Sequence, residues 1–153
     1  IRVMLILIIK GGLFAFLLIL AAVWDIRKRE IPDTISLLLM ITGLLAIDPW
    51  NAFSGLVMTG LPYFLAAILI HRDNCFSIGG GDIKLMAACG FVLGAHLGAM
   101  QSVISLVLAV IAGLCIRLSS KSKKLNSITL PLAPFFCVGG IFSYMALLLS
   151  AIY

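Results

Sequence analysis

Two aspartates at the edges of apolar runs are the residues of this sequence best suited to chemistry. Asp25 follows the run FLLILAAVW, and Asp82 lies within SIGGGDIKLMAACG. A carboxylate at a membrane boundary is energetically costly, so each is a candidate functional residue. Two neighbouring carboxylates can hold one proton between them, which suits acid–base work on a peptide bond. If the two acids converge, the ionised one takes a proton from water while the protonated one polarises the scissile carbonyl.

The residues around Asp82 allow two interpretations. As the residue before an apolar helix, Asp82 could simply cap that helix. Gly79, Gly80 and Gly81 instead expose the backbone, which favours close approach of an extended peptide and predicts a substrate-binding role. A phosphate-binding loop is excluded, because an Asp stands where the anion would dock and no Gly-Lys-Ser or Gly-Lys-Thr follows. Lys84, a candidate substrate-binding residue, either favours ionisation of the nearby carboxylates or extends to the lipid headgroups.

The composition makes the bilayer the solvent for most of the chain. Of its 153 residues, 63% are hydrophobic and 11% are charged, whereas soluble domains are about half apolar and a quarter charged. The composition predicts an all-α polytopic membrane protein with a single domain over residues 1–153. Because the four cysteines form no CxxC pair, we predict no zinc site, no disulfide framework and no cofactor. The opening segment lacks a signal-peptide cleavage site, so we expect it to be retained.

The apolar runs predict a bundle of about six transmembrane helices. A span needs about 20 residues, and the second and fourth runs are at or below the acceptable length. Short spans of this kind indicate local thinning of the bilayer or a water-filled cleft. The segment DPWN at residues 48–51 predicts a tight turn with Trp50 at the headgroup level. The predicted helices cover residues 3–24, 32–47, 53–70, 82–98, 101–118 and 131–152.

Basic residues cluster in alternate connections and predict the orientation. The connections around residues 48–52 and 98–101 contain no Lys or Arg. The positive-inside bias therefore places the basic connections, with Asp25 and Asp82, on the cytoplasmic side and both termini outside. The net charge of +5 is explained by contact with anionic lipid, without a nucleic-acid partner. The basic residues are Arg27, Lys28, Arg29, Arg72, Lys84, Arg117, Lys121, Lys123 and Lys124.

Two further charged residues have several possible roles. Lys10 lies inside the first apolar run, where it either extends to the outer interface or faces the interior of the bundle. Alternatively, residues 1–9 lie along the surface and the span begins after Lys10. Asp33 follows Pro32 at a predicted helix start, which favours capping of that helix.

Three segments together resemble the type IV prepilin peptidases, a family of aspartic peptidases of the inner membrane. Residues 25–33, DIRKREIPD, are similar to the first motif of that family. Residues 79–88, GGGDIKLMAA, resemble its GxGD motif, and residues 131–136, PLAPFF, resemble the proline-containing start of its last helix. The match follows the expected order and spacing over residues 24–140.

The resemblance implies cleavage of prepilin-like proteins on the cytoplasmic side, just after a glycine that joins a short basic leader to a hydrophobic helix. It also implies that Asp25 and Asp82 are the catalytic pair, that no metal is required, and that Pro131 and Pro134 lie beside the substrate. Paired CxxC motifs accompany N-methylation in many members of the family. The chain has no CxxC pair, so it resembles the short enzymes of Flp-type pili, which predicts a peptidase without methyltransferase activity. Asp33 stands where the family often has Asn.

The residues alone leave two other functions open. A small proton-coupled transporter or channel subunit would use Asp25 and Asp82 as relay groups, although such sites usually lie near the bilayer midplane. A catalytically silent assembly subunit would need only close helix packing, for which Gly90, Gly94 and Gly98 have a suitable four-residue spacing. Neither the substrate nor the oligomeric state follows from the sequence.

Overall fold

The described part of the chain is all-helical. The computed structural model describes residues 2–45, 48–70, 79–119 and 130–152, and these ranges contain five helices and no strand. The all-α prediction is therefore confirmed, whereas the predicted count of about six helices is wrong. The helices are α1 (Arg2–Lys28), α2 (Asp33–Gly43), α3 (Pro49–Ile70), α4 (Gly80–Ser119) and α5 (Ala133–Ile152).

Four of these helices are long and apolar enough to cross a membrane. By length and composition α1, α3, α4 and α5 qualify, whereas α2 has only 11 residues. Large apolar side chains lie on the outer surface of the bundle, among them Trp50 and Leu118, which are 83% and 79% exposed. Soluble monomers rarely expose contiguous apolar surface on this scale, so the surface indicates a membrane protein.

Two of the predicted helices correspond to the two arms of α4, which meet at a bend. The sequence predicted a connection at residues 98–101, but the helix continues there, and Gly94 is the residue of α4 with non-helical angles (φ 80°, ψ 179°). A Cβ atom added at Gly98 would lie 3.1 Å from the Cα atom of Gly90. The first arm (residues 80–93) and the second arm (residues 95–119) therefore fold back on each other. Glycine permits this reversal without a loop, because it accepts a positive φ.

Contacts with α3 hold the bend in α4. The Asn51 side-chain oxygen accepts a hydrogen bond of 3.0 Å from the backbone N–H of Ala95. This bond satisfies a donor at the start of the second arm, as an N-cap residue does within its own helix. Further along α3, the Thr59 hydroxyl donates to the Met86 carbonyl oxygen of the first arm at 2.9 Å. Both arms of α4 thus pack against α3.

The start of α3 and the end of α1 differ from their predicted positions. Residues 49–51 begin α3 instead of completing a tight turn, because the carbonyl of the preceding Asp48 accepts a helical bond from Ala52 N–H at 2.9 Å. Pro49 suits this position, since proline is favoured in the first turn of a helix. At the other boundary, α1 continues to Lys28, so Asp25 lies within its last turn and not after it.

Alternating helix directions give the bundle two ends. At the aspartate end, Asp25 near the end of α1 contacts Ala133 at the start of α5. At the opposite end, Asn51 at the start of α3 contacts Ala95 beside the α4 bend. The core between the ends contains buried apolar side chains from all five helices, including Phe14, Leu18, Leu39, Tyr63, Leu85, Met86 and Phe136.

Lys10 faces the interior of the bundle, which was one of its predicted positions. Its side chain is 6% exposed, and Nζ donates to the Gly43 carbonyl oxygen at 3.4 Å. Residues 2–9 continue as part of α1, so the alternative surface segment does not form as a separate unit. A cation beside the last carbonyl groups of α2 complements the negative end of that helix.

Candidate active site

A cavity of about 300 Å³ at the aspartate end brings Asp25 and Asp82 together. The two carboxyl groups are near enough to interact electrostatically. No group of three or more His, Cys, Asp and Glu is arranged to hold a metal ion in the described ranges. The cavity is lined by the end of α1, the segment that follows it, and the starts of α2 and α4: Asp25, Arg29, Glu30, Ile31, Asp33, Gly79, Gly80, Gly81 and Asp82.

Asp25 owes its position to two helices. It lies in the last turn of α1, where its charge opposes the dipole of its own helix. Its Oδ2 atom, however, accepts a hydrogen bond of 3.0 Å from the backbone N–H of Ala133, the first residue of α5. Asp25 therefore caps α5 from a distant part of the chain. With the side chain 7% exposed, this bond lies in a largely water-excluded environment, where electrostatic interactions are strong.

The segment after α1 forms one wall of the cavity. The Arg29 N–H bonds to the Asp25 carbonyl oxygen at 2.8 Å, and Arg29 has a positive φ of 55°. A left-handed residue commonly ends a helix, although this conformation costs a non-glycine residue about 1 kcal/mol or more. The turn at Arg29 directs Glu30 and Ile31 along the cavity. Local backbone geometry thus places a further carboxylate, that of Glu30, in the cavity lining with the aspartate pair.

The three glycines before Asp82 meet different surroundings. Gly79 accepts a backbone hydrogen bond of 3.0 Å from Asp82 N–H at the start of α4. A Cβ atom added at Gly81 would lie 3.1 Å from Cβ of Ile31, so this glycine permits close packing against the opposite wall. A Cβ atom added at Gly80 would meet no atom within 4 Å. Gly80 is therefore the glycine that borders open space in the cavity.

An ion pair joins the two walls at the rim of the cavity. Lys84 Nζ lies 2.7 Å from Asp33 Oδ2, and the two side chains are 57% and 71% exposed. The prediction that Asp33 caps α2 is wrong, because Pro32 occupies the cap position and no side-chain cap bond is formed. The exposed pair contributes little to stability, about 0–1 kcal/mol. Lys84 contacts the rim and does not line the cavity.

The two prolines predicted to lie beside the substrate are found at the start of α5. Pro131 precedes α5 and Pro134 lies in its first turn, and neither lines the cavity. Ala133, between them, is the residue that contacts Asp25. Sequence reasoning did not identify Ala133, although flanking prolines are a signal for a helix start with few free N–H donors.

Basic residues lie near the cavity at the end of α1. Arg27 and Lys28 form the last turn of this helix, and Lys28 Nζ lies 5.2 Å from the centroid of the Trp24 ring. Other parts of the predicted basic connections, together with Cys75, lie outside the described residues; the basic residues among them are Arg72, Lys121, Lys123 and Lys124.

Comparison with known proteins shows a family match over most of the chain. The model of the type IV leader peptidase family matches residues 12–118. A prepilin leader peptidase/N-methyltransferase of Bacillus subtilis (strain 168) is 31% identical over 134 residues, covering 86% of this chain and 53% of that protein. A protein of the same name from Pectobacterium carotovorum subsp. carotovorum is 31% identical over 140 residues, with coverages of 85% and 48%. The chain thus spans about half the length of these relatives. No solved structure matches it.

Proposed function

Because this chain belongs to the type IV leader peptidase family, we propose that it is a membrane aspartic endopeptidase that removes the leader from prepilin-like proteins. The observation that carries the proposal is the single cavity lined by both Asp25 and Asp82. A pair of carboxylates in one partly enclosed site supplies a base and an acid for hydrolysis of a peptide bond. Residues 1–153 form one peptidase domain in this proposal.

The reaction needs one ionised and one protonated carboxyl group. The ionised group takes a proton from a water molecule as the water oxygen attacks the scissile carbonyl carbon. The protonated group donates its proton to the carbonyl oxygen, which gives a tetrahedral diol. The newly protonated carboxyl group then gives its proton to the amide nitrogen, while the other, now ionised, takes a proton from one hydroxyl of the diol; the C–N bond breaks and the new amino terminus is released. No net proton is consumed by the pair.

Gly80 is the proposed point of approach for the substrate backbone. It borders open space in the cavity, and an extended peptide could lie against it within reach of both acids. A glycine in the substrate at the cut would permit equally close approach from the other side, because it carries no Cβ atom. This complementarity supports cleavage after a glycine. Gly79 and Gly81 line the same cavity. Lys84, Pro131 and Pro134 lie outside its lining and are proposed to contact the substrate beyond the cavity.

The cavity is proposed to face the cytoplasm from the inner membrane. Basic residues Arg27 and Lys28 lie in the last turn of α1 beside it, and positive charge is enriched on the cytoplasmic side of membrane proteins. The proposed substrates, which include Flp-type prepilins, would enter from that side. The four cysteines form no CxxC pair, which supports cleavage without N-methylation by residues 1–153.

Co-expression with a prepilin tests the proposal. Wild-type protein should cut after the leader glycine, detected as a mobility shift and by mass spectrometry of the new amino terminus, which should be unmethylated. Asp25→Asn and Asp82→Asn should each lower the rate by about 100-fold or more, because each removes a group that transfers a proton. Asp48→Asn is the matched control, since Asp48 lies at the opposite end of the bundle, and it should cut at the wild-type rate.

Two results would contradict this function in different ways. If both cavity variants cut as fast as wild type, the aspartates are structural and another group performs the chemistry. If wild-type protein leaves several different prepilins intact while it is folded in the membrane, a proton-relay role in a transporter subunit is favoured.

A further inference from the structure

The start of α5 contacts Asp25 through its backbone. α5 contains no charged side chain, so its direct polar contact with Asp25 is made by the backbone. Its first residue, Ala133, donates its N–H to Asp25 Oδ2 at 3.0 Å across a separation of 108 residues. The charged groups that share the cavity with Asp25 come from the other elements: Asp82 from α4, Asp33 from α2, and Arg29 and Glu30 from the segment after α1.

The sequence of the first turn leaves this one N–H free for the contact. Pro134 has no backbone N–H. The N–H groups of Phe135 and Phe136 both bond to the Leu132 carbonyl oxygen, at 3.0 and 3.2 Å. Among residues 133–136, Ala133 is therefore the donor that is directed to a side chain. The first N–H groups of a helix have no partner within it and carry its positive partial charge.

The geometry of this bond matters for the chemistry. Ala133 is fully buried and Asp25 is 7% exposed, so water does not compete freely for the bond. A hydrogen bond donated to a carboxylate stabilises the ionised form over the neutral acid. The bond also fixes the orientation of the carboxylate through Oδ2.

We propose that Ala133 is a positioning residue for the peptidase reaction, because its N–H orients the Asp25 carboxylate as the base. This inference rests on the proposed function, and it leaves Asp82 as the acid that donates a proton to the scissile carbonyl. Ala133 does not line the cavity, so it acts on the reaction through Asp25 and not by contact with the substrate.

Replacement of Ala133 by proline removes the N–H and retains a residue suited to a helix start. Leu132, which precedes it, is outside the helix, so it can adopt the extended conformation that a following proline requires. Ala133→Val is the matched control, because valine adds the same number of heavy atoms and keeps the N–H.

Relative to Ala133→Val, Ala133→Pro should lower kcat by about 10- to 100-fold, the range for a lost hydrogen bond to a charged group. KM should stay close to its control value. Equal kcat values for the two variants would overturn the proposal.

Amide hydrogen exchange gives a second test. It does not depend on prepilin cleavage, and it does not require Ala133→Pro to fold. Asp25→Asn keeps an oxygen acceptor of similar shape, whereas Asp25→Leu removes it. Exchange at the start of α5 should accelerate in Asp25→Leu but stay near the wild-type rate in Asp25→Asn. Equal rates in both variants would show that the bond is absent, and they would overturn the inference even if prepilin cleavage is confirmed.

Discussion

At the scale of single residues, two identical residues of the site have different roles because their surroundings differ. Gly80 and Gly81 are adjacent and identical in type. Gly80 borders open space, whereas a Cβ atom added at Gly81 would lie 3.1 Å from Cβ of Ile31. In the proposed mechanism Gly80 therefore serves the substrate, and Gly81 serves the contact between the two walls of the cavity.

The different surroundings predict different defects for two alanine substitutions. Gly80→Ala should leave the melting temperature unchanged or slightly raised, since alanine favours helix by up to about 1 kcal/mol, but it should raise KM because the methyl group enters the cavity. Gly81→Ala should lower the melting temperature, because Ile31 must move. Thermal unfolding in detergent and steady-state kinetics on a prepilin peptide would measure both. Identical effects of the two substitutions would contradict this division of roles.

At the scale of helices, the bend in α4 permits the arrangement of the bundle. A straight helix of 40 residues would be about 60 Å long, twice the thickness of the hydrocarbon core. The reversal at Gly94 instead sets both arms against α3, and Asn51 satisfies the N–H of Ala95. The first arm then carries Asp82 at its start, at the aspartate end, while the bend lies at the opposite end.

Gly94→Ala should destabilise the protein by about 1–3 kcal/mol, the usual cost of a strained backbone conformation. Its φ is 80°, and an added Cβ atom would lie 2.5 Å from Asn51 Nδ2. Gly113→Ala is the control within the same helix, because its Cβ atom would meet nothing within 4 Å. It should be neutral or stabilising. Chemical or thermal unfolding would measure both, and an unaffected Gly94→Ala protein would show that the bend does not need glycine.

At the scale of the whole molecule, apolar surface and basic residues together determine how the protein lies in a membrane. Four helices are long and apolar enough to span it, and Arg27 and Lys28 end α1 at the aspartate end. Glu30 is exposed beside the cavity, whereas Trp50 is exposed at the opposite end. A single orientation therefore predicts opposite accessibilities for these two residues.

Single cysteines at these positions test the orientation. The background protein has its four native cysteines replaced by alanine. In it, Trp50→Cys should react with a membrane-impermeant maleimide in cells whose outer envelope is permeabilised and whose inner membrane is intact. Glu30→Cys should react only after the inner membrane is permeabilised, since the positive-inside bias places it in the cytoplasm. The reverse pattern would place the cavity outside, and the proposed entry of substrate from the cytoplasm would then be wrong.

The sequence by itself determined the membrane class, the all-α fold and the two candidate acids. These features depend on composition and on neighbouring residues: apolar runs specify helices in lipid, and Asp25 and Asp82 stand out because charge is rare there. The bond between Asp25 and Ala133, the ion pair between Asp33 and Lys84, and the reversal of α4 followed only from the tertiary structure. The residues joined by these contacts are separated by between 44 and 108 positions in the sequence. Helix packing decides which donor meets which acceptor. Local patterns carry no information about those partners.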